Sequence, residues 1–275
     1  MAVAAVGQLC STASMAHNLK QCQSLVQKAV TAGAKALFLP EASDYIASSA
    51  AESVSLVKSV DESEFVIGLR DEARNSKLPI NVGIHEPTLD GTKVKNTLIW
   101  IDDAGKITQR YQKVHLFDVD IKGGAVLKES NSVEKGMKIQ PPFETTLGSV
   151  GLMICFDLRF PEINLALKRQ NAEIITYPSA FTIPTGKAHW ETLLRARAIE
   201  TQAYVIAAAQ VGAHNEKRAS YGHSMVVNPW GEVVGQLGGE SSEPEILTAN
   251  IDLEYLRKIR KEMPLVRRTD VYPEI

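Results

Sequence analysis

Short apolar runs alternate with amphipathic stretches along the chain. Residues 2–9 (AVAAVGQL) and 36–39 are short, mainly apolar runs, which indicates two buried strands. The apolar positions between them recur at helical spacing: Leu19, Cys22, Val26 and Ala29. This spacing predicts an amphipathic helix that ends at Gly33. A strand–helix–strand unit is therefore expected at the start of the chain.

The same alternation continues to the C-terminus. Further strands are predicted at 78–84, 96–102, 149–154, 173–178, 204–210 and 246–252. Helices are predicted at 61–74, from 160–162 onward, at 188–202 and at 253–262. Residues 223–229 and 232–237, joined through Trp230-Gly231, indicate a hairpin. Alternating strands and helices with inserted hairpins predict a layered α/β fold with mixed sheets. The polar stretch 118–142 is long and irregular, which is typical of a binding loop.

Composition narrows the class of protein. The chain has 275 residues, of which 44% are apolar and 23% charged, values typical of a globular protein with a large core. No Pro/Gly/Ser-rich linker interrupts it, so a single domain over residues 1–275 is predicted. The formal charge of −2 is spread along the sequence, without the basic stripe that nucleic acids or anionic membranes require.

Location follows from segments that the sequence lacks. The start, MAVAAVGQLC, has no basic region followed by a long apolar one, and no stretch approaches the roughly 20 apolar residues of a membrane span. A cytoplasmic protein is expected, and whether another isoform carries a mitochondrial presequence stays open.

Three cysteines, Cys10, Cys22 and Cys155, fit neither a disulfide framework nor a CxxC metal site. The histidines and carboxylates form no HExxH or paired-ligand spacing, so no metal site is predicted. Glycine-rich phosphate loops are also missing. Any chemistry is therefore expected to depend on a single thiol.

Three reactive side chains follow predicted strands. Cys155 precedes a predicted helix, whose N-terminal dipole would favour the thiolate, so it is a candidate nucleophile. Burial would raise the pKa of Glu41 towards the range of a general base. Lys113 would stabilise a tetrahedral oxyanion. Each also has an ordinary structural interpretation: a buried cysteine, a capping carboxylate and a solvated lysine.

Three stretches resemble the signatures of the nitrilase superfamily, in the same order: LFLPEAS around Glu41, YQKVHLFD around Lys113 and GLMICFDLRFPE around Cys155. The resemblance continues through AHWETLLRARAIETQ and YGHSMVVNPWG. It implies a four-layer α-β-β-α sandwich that forms homodimers through helices near the nucleophile. It also implies that no metal or organic cofactor is used.

The resemblance further implies roles for individual residues. Cys155 would attack an amide or nitrile carbon and form a thioester, while Glu41 would act as general base and then as acid. Lys113 and the backbone N–H of Phe156 would support the oxyanion. A second carboxylate that orients the lysine and the attacking water falls on Glu129.

The C-terminal half resembles the Nit branch of this superfamily. That branch implies hydrolysis of the amide of deaminated glutathione, which releases 2-oxoglutarate and Cys-Gly; an ω-amidase acting on 2-oxoglutaramate is the alternative. Arg159 is the candidate partner of the 2-oxo acid carboxylate, or else forms a structural ion pair with Glu162. Phe181 and Thr182 resemble residues that line the pocket, although FTIP departs from the commoner family wording.

Two other classes of function stay open at this point. In a Cys-His peptidase or thiol transferase, His115 would serve as the base for Cys155. In a catalytically silent scaffold, the fold would serve only to bind a partner. The co-occurrence of a carboxylate, an ammonium and a thiol at three strand ends favours an enzyme.

Overall fold

The computed structural model describes residues 2–120, 126–241 and 243–273, and its main feature is two β-sheets. The strands are β1 (Ala2–Gln8), β2 (Ala36–Phe38), β3 (Ile80–Pro87), β4 (Val94–Ile101), β5 (Ile107–Gln112), β6 (Asp118–Asp120), β7 (Val126–Lys128), β8 (Val133–Glu134), β9 (Phe143–Thr145), β10 (Gly148–Leu152), β11 (Ile174–Thr176), β12 (Tyr204–Ala207), β13 (Val211–Asn215), β14 (Arg218–Tyr221), β15 (Met225–Val227), β16 (Val233–Gln236) and β17 (Glu245–Ile251). The helices are α1 (Met15–Thr31), α2 (Ala50–Leu56), α3 (Glu64–Ser76), α4 (Pro161–Arg169), α5 (Ile183–Thr201) and α6 (Leu253–Glu262).

Each large sheet mixes parallel and antiparallel pairs. The first sheet has the order β17-β1-β2-β3-β4-β5, with β8 also paired to β4. The second has the order β16-β15-β12-β11-β10-β9. In the first, β1 and β2 are parallel and β3 and β4 antiparallel; in the second, β10 and β11 are parallel and β12 and β15 antiparallel. The prediction of mixed sheets is confirmed.

The inner strands are buried on both faces. In β1, Val6 belongs to the core shared with the second sheet, while Ala5 packs towards α1 and α3. In β2, Phe38 likewise belongs to the core shared with the second sheet, and Leu37 packs towards α1 and α3. Helices α4 and α5 cover the outer face of the second sheet, as the buried side chain of Trp190 illustrates. The resulting α-β-β-α sandwich explains why these strands read as continuous apolar runs.

Polar caps fix where several helices begin. The side chain of Ser14 accepts a hydrogen bond from the backbone of α1, Ser63 does so for α3 and Asp252 for α6. Helix α1 ends at Thr31, two residues before Gly33, which has a φ of 70°. The predicted end of this helix is therefore correct to within two residues.

The structure also contains elements that the hydrophobic pattern does not predict. The hairpin β13–β14 and the short helix α2 were not expected, and α5 begins at Ile183 rather than 188 because Pro184 is accommodated in its first turn. The stretch 118–142, expected to be irregular, includes the short strands β6, β7 and β8, while residues 121–125 of it lie outside the described residues. Within the described ranges, no helix combines the length and apolar character that crossing a membrane requires.

The backbone after β2 passes directly over β3 at Gly83. The Gly83 N–H donates to the carbonyl of Pro40 at 3.0 Å, and its carbonyl accepts from the N–H of Ser43 at 2.8 Å. A Cβ on Gly83 would lie 2.6 Å from the Cα of Glu41 and 2.8 Å from the Pro40 oxygen. Both are backbone atoms, so no side-chain rotation can move them out of the way. The absence of a side chain at Gly83 therefore sets the position of Glu41.

We predict that Gly83→Ala lowers the free energy of unfolding by about 1–3 kcal/mol, because the added methyl group must displace backbone. Urea denaturation followed by circular dichroism measures this. Gly235→Ala is the matched control in a strand. The atom nearest to its added Cβ is a side-chain methyl carbon, Leu247 Cδ1, at 3.1 Å, which can shift more easily than backbone. It should change stability by less than about 1 kcal/mol. Equal effects of the two substitutions would contradict the packing argument.

Candidate active site

Three strand ends meet where the two sheets face each other. Glu41 follows β2 and Lys113 follows β5 in the first sheet, and Cys155 follows β10 in the second. Their exposed fractions are 4%, 2% and 8%. The Nζ of Lys113 lies 2.8 Å from the Oε1 of Glu41, and both charges act on the thiol of Cys155. The three residues singled out from sequence thus lie together in one buried cluster.

Glu129 is the fourth member of this cluster. Its Oε2 and Oε1 lie 2.9 and 3.1 Å from the Nζ of Lys113. The backbone N–H of Phe117 donates to the Oε2 of Glu129 at 2.6 Å. The amide of Asn96 donates to both carboxylates, at 2.7 Å for Glu41 and 3.2 Å for Glu129. A buried ammonium is therefore held between two carboxylates that are themselves fixed by hydrogen bonds.

The backbone is in a left-handed conformation at two points of the cluster. Cys155 has a φ of 45°, and Ala42, next to Glu41, has a φ of 54°. Such values are costly for residues with a Cβ and recur at functional sites. The N–H of Cys155 donates to the carbonyl of Pro178 at 3.0 Å, which helps to hold this geometry. A 3-10 helix (Cys155–Arg159) follows, and α4 begins only at Pro161, so the predicted helix is preceded by a tight turn.

The pKa expected for Glu41 is wrong in direction. Burial does raise it, as the sequence argument supposed. The charge of Lys113 and the hydrogen bonds from Lys113, Cys155 and Asn96 act in the opposite sense, and the pKa lies below its usual range. Glu41 also accepts a hydrogen bond from the backbone N–H of Ala180 at 2.9 Å. The carboxylate is therefore ionised in the resting protein.

The expected preference of Cys155 for the thiolate is wrong as well. Burial and the negative charge of Glu41 raise the pKa of the thiol far above its usual range, and the charge of Lys113 offsets this only in part. The pKa of Lys113 is also raised well above its usual value: burial lowers it, but Glu129 and Glu41 outweigh that effect. These pKa directions favour a thiol on Cys155, an ammonium on Lys113 and a carboxylate on Glu41.

A fully buried carboxylate that was not singled out from sequence connects the lysine and cysteine segments. Asp157 accepts from Tyr111 Oη at 2.7 Å, from the N–H of Ile154 at 3.1 Å and from the N–H and Nδ1–H of His115 at 3.0 and 2.8 Å. Burial and the Asp157 charge hold the pKa of Tyr111 well above its usual range. The available signal was a charged residue two positions after Cys155 in CFDLRF.

His115 does not take the position of a base for Cys155. Its Nδ1 is bound to Asp157, and its ring stacks on Phe160 with the centroids 3.6 Å apart. Among the described residues, no histidine makes a hydrogen bond to the Cys155 sulfur. The geometry therefore gives no support to a Cys-His peptidase.

A cavity of about 670 Å³ opens beside the cluster and is lined by Cys155, Phe156, Arg159, Phe181 and Thr182, among others. The guanidinium of Arg159 lies 5.6 Å from the ring centroids of both Phe156 and Phe181. It also lies 3.3 Å from the Nδ1 of His189. In the described ranges Arg159 forms no ion pair with a carboxylate, Glu162 included, so the structural alternative for this arginine is not seen.

The described residues contain no group of three or more His, Cys, Asp or Glu side chains arranged to hold a metal ion. What the cluster offers is acid–base and nucleophilic chemistry. An ionised carboxylate beside a thiol can accept its proton, and a buried ammonium can stabilise negative charge on an acyl oxygen.

A family model described as carbon-nitrogen hydrolase matches residues 3–261, and the chain belongs to this family, within the nitrilase superfamily. It is therefore a hydrolase of carbon–nitrogen bonds.

The chain is 49% identical to the probable hydrolase nit2 of Schizosaccharomyces pombe, with 100% of both chains covered. It is 46% identical to the deaminated glutathione amidase of Homo sapiens, over 98% of this chain and 83% of that protein. The crystal structure of the Caenorhabditis elegans NitFhit protein superposes with a TM-score of 0.92 at 40% identity, covering 99% of this chain and 67% of that one.

We predict that Asp157→Asn lowers the free energy of unfolding by about 2–4 kcal/mol, because the amide leaves at least one buried donor facing another donor. Tyr111→Phe removes a single donor to the same carboxylate and should cost about half as much. Chemical denaturation monitored by tryptophan fluorescence measures both. A neutral effect of Asp157→Asn would show that the hydrogen-bond network does not hold the two segments together.

Proposed function

We propose that this protein hydrolyses the amide of deaminated glutathione, releasing 2-oxoglutarate and Cys-Gly through a thioester on Cys155. The observation that carries the proposal is the buried contact of Lys113 with Glu41 and Glu129 beside the thiol. The similarity to a relative named for this activity supports the choice of substrate. A reaction of this kind repairs a damaged metabolite.

The first half of the reaction forms the thioester. The Cys155 sulfur attacks the amide carbon while Glu41 takes the thiol proton, so the thiolate need not exist beforehand. Lys113 and the backbone N–H of Phe156 stabilise the negative charge on the acyl oxygen. The carbon–nitrogen bond then breaks, and Glu41 passes its proton to the departing nitrogen.

The second half releases the acid. Water attacks the thioester carbon while Glu41 accepts one of its protons, and collapse of the tetrahedral state returns the proton to the sulfur. Glu129 keeps the lysine in place, since both of its oxygens lie within 3.1 Å of the ammonium. Orienting the attacking water is a second proposed role of Glu129.

Arg159 is the proposed partner of the 2-oxo acid carboxylate. Its guanidinium belongs to a residue that lines the same cavity as Cys155, and it forms no ion pair within the described ranges. Because planar guanidinium groups bind carboxylates through two parallel hydrogen bonds, the arginine can fix both position and orientation. Phe181 and Thr182 line the same cavity and complete this proposed subsite.

An ω-amidase acting on 2-oxoglutaramate is the competing proposal, because that amide has the same 2-oxo acid end. A homodimer in solution and a cytoplasmic location both stay predictions. The single-domain organisation is likewise a prediction, and the pairing of β1 with β17 in one sheet supports it.

We predict that kcat/KM is higher for deaminated glutathione than for 2-oxoglutaramate when the two are offered separately. Cys155→Ser is the control and should lower both values by about three orders of magnitude or more, because it removes the nucleophile. Faster turnover of the smaller amide would favour the ω-amidase. Hydrolysis of neither would contradict the proposed function as a whole.

We also predict that the acid limb of kcat/KM lies below the ordinary carboxyl range. Glu41 must be ionised to accept a proton, and its pKa is lowered from 4.5, so activity should stay level from about pH 8 to about pH 5.5. Circular dichroism at each pH separates this from unfolding, since stability that comes from a lowered carboxyl pKa is lost as pH falls. A half-maximal point between about pH 6 and 7 would indicate the raised pKa that burial alone predicts.

A further inference from the structure

More cationic side chains line the cavity than the cluster around Cys155 contains. Five cationic side chains and two carboxylates line it among the described residues. Both carboxylates, Glu41 and Glu129, are bound to one of those cations, Lys113. Within the described part of the chain, Arg159, Lys217 and Arg218 form no ion pair. In a chain with a formal charge of −2, this concentration of cations indicates an anionic ligand.

Two of these cations belong to the hairpin β13–β14. Lys217 lies in its turn and Arg218 begins β14, and both side chains line the cavity while remaining exposed. They are therefore at the mouth of the cavity, whereas Arg159 is partly buried. The cavity thus presents cationic groups at two different depths, on two different elements of the fold.

The hairpin is fixed to the cavity wall. The N–H of Tyr221 donates to the carbonyl of Phe181 at 2.9 Å, and Ser220 forms an antiparallel bridge with Thr182. Behind it, the buried His214 contacts Ser220 Oγ at 2.7 Å and the carbonyl of Ser11 at 2.9 Å. These contacts hold the turn in a defined place relative to the candidate subsite around Phe181 and Thr182.

Asn215, close to the two cations in the chain, has a side-chain N–H donor that makes no hydrogen bond in the described ranges. Its Oδ1 accepts a hydrogen bond from the backbone N–H of Lys217 at 3.0 Å, which orients the side chain. Its Nδ2 is buried and has no hydrogen-bond partner in the described ranges, although Asn215 lines the cavity. A buried amide donor without a partner is costly, so a ligand acceptor is the natural complement.

The proposed substrate has a carboxylate at each end, and only one of them is accounted for by Arg159. In deaminated glutathione the second carboxylate ends the Cys-Gly portion, two residues beyond the scissile bond, or about 7 Å in extended form. A cavity of about 670 Å³ is within the range of roughly 300–1,000 Å³ typical of sites for ligands of this size. 2-Oxoglutaramate has no counterpart of this second group.

We infer that Asn215, Lys217 and Arg218 form a subsite for the terminal carboxylate of the leaving dipeptide, and so select the longer amide over the shorter one. This inference rests on the proposed function. Lys217 and Arg218, two of its three residues, are exposed at the mouth of the cavity, so the Cys-Gly product can depart before the thioester is hydrolysed.

The test compares kcat/KM for deaminated glutathione and 2-oxoglutaramate in matched variants at an ionic strength of about 0.15 M, at which long-range attraction of either anion by exposed cations is largely screened. The double substitution Lys217→Ala with Arg218→Ala should lower the value for deaminated glutathione about tenfold or more and change that for 2-oxoglutaramate less than about twofold. Asn215→Asp keeps the acceptor for the turn and replaces the free donor with a negative charge, so it should show the same selectivity. Glu216→Gln is the control, because Glu216 is in the same turn but does not line the cavity. It should alter neither value by more than about twofold.

A modified substrate makes the test independent of hairpin damage. Deaminated glutathione with its terminal carboxylate converted to a carboxamide should be a poorer substrate of the unsubstituted protein by a similar factor. On this carboxamide, the double variant Lys217→Ala with Arg218→Ala should have the same kcat/KM as the unsubstituted protein. The reason is that the substrate change and the protein change remove the same contact, which can be lost only once.

The outcomes separate the two proposals. If the unsubstituted protein hydrolyses deaminated glutathione but the variants affect both substrates equally, or neither, the hairpin subsite is wrong and the proposed function stands. If Arg159→Ala is the change that selectively impairs the longer substrate, the two ends of the substrate have been assigned the wrong way round. If deaminated glutathione is not hydrolysed at all, the proposed function fails and the subsite fails with it.

Discussion

The burial of one ammonium group constrains the rest of the site. Lys113 is only 2% exposed, and an isolated charge so deep in a protein would be very costly. Its two carboxylate partners come from different parts of the chain, Glu41 from the end of β2 and Glu129 from the segment after β7. Because removing either partner would leave a charge uncompensated, the strand ends and the loop must keep their mutual positions.

This constraint also sets the protonation states. The contact with Lys113 keeps Glu41 ionised, and burial together with the negative charge of Glu41 raises the pKa of Cys155, so the thiol stays protonated. An acid–base pair in this state can transfer the proton when the sulfur attacks, instead of maintaining a reactive thiolate in the resting protein. The position of Glu41 in turn depends on the close crossing of backbone over Gly83, so packing between β2 and β3 sets the geometry on which the proton transfer relies.

The sequence predicts the features that depend on local pattern. Buried strands, amphipathic helices and the strand-end positions of Glu41, Lys113 and Cys155 follow from periodicity, and family resemblance identifies Glu129. It does not predict the pKa directions, because they depend on charges that only the fold brings together, such as Glu41 and Lys113, which are 72 residues apart in the chain. The contacts of Asp157 and the placement of hairpin β13–β14 are likewise set by tertiary neighbours, which periodicity does not contain.

The charge balance of the cluster bears on the role of the other cations that line the same cavity. One ammonium between two carboxylates leaves the nucleophile in a region of net negative charge, which is why Glu41 raises the pKa of the Cys155 thiol. A carboxylate-bearing substrate approaching this region would be repelled. Arg159, partly buried, and Lys217 and Arg218, exposed at the mouth, place positive charge around the same cavity. In the proposed function, acid–base chemistry and the binding of an anionic amide therefore rest on separate groups, which come from different strands and loops around one cavity.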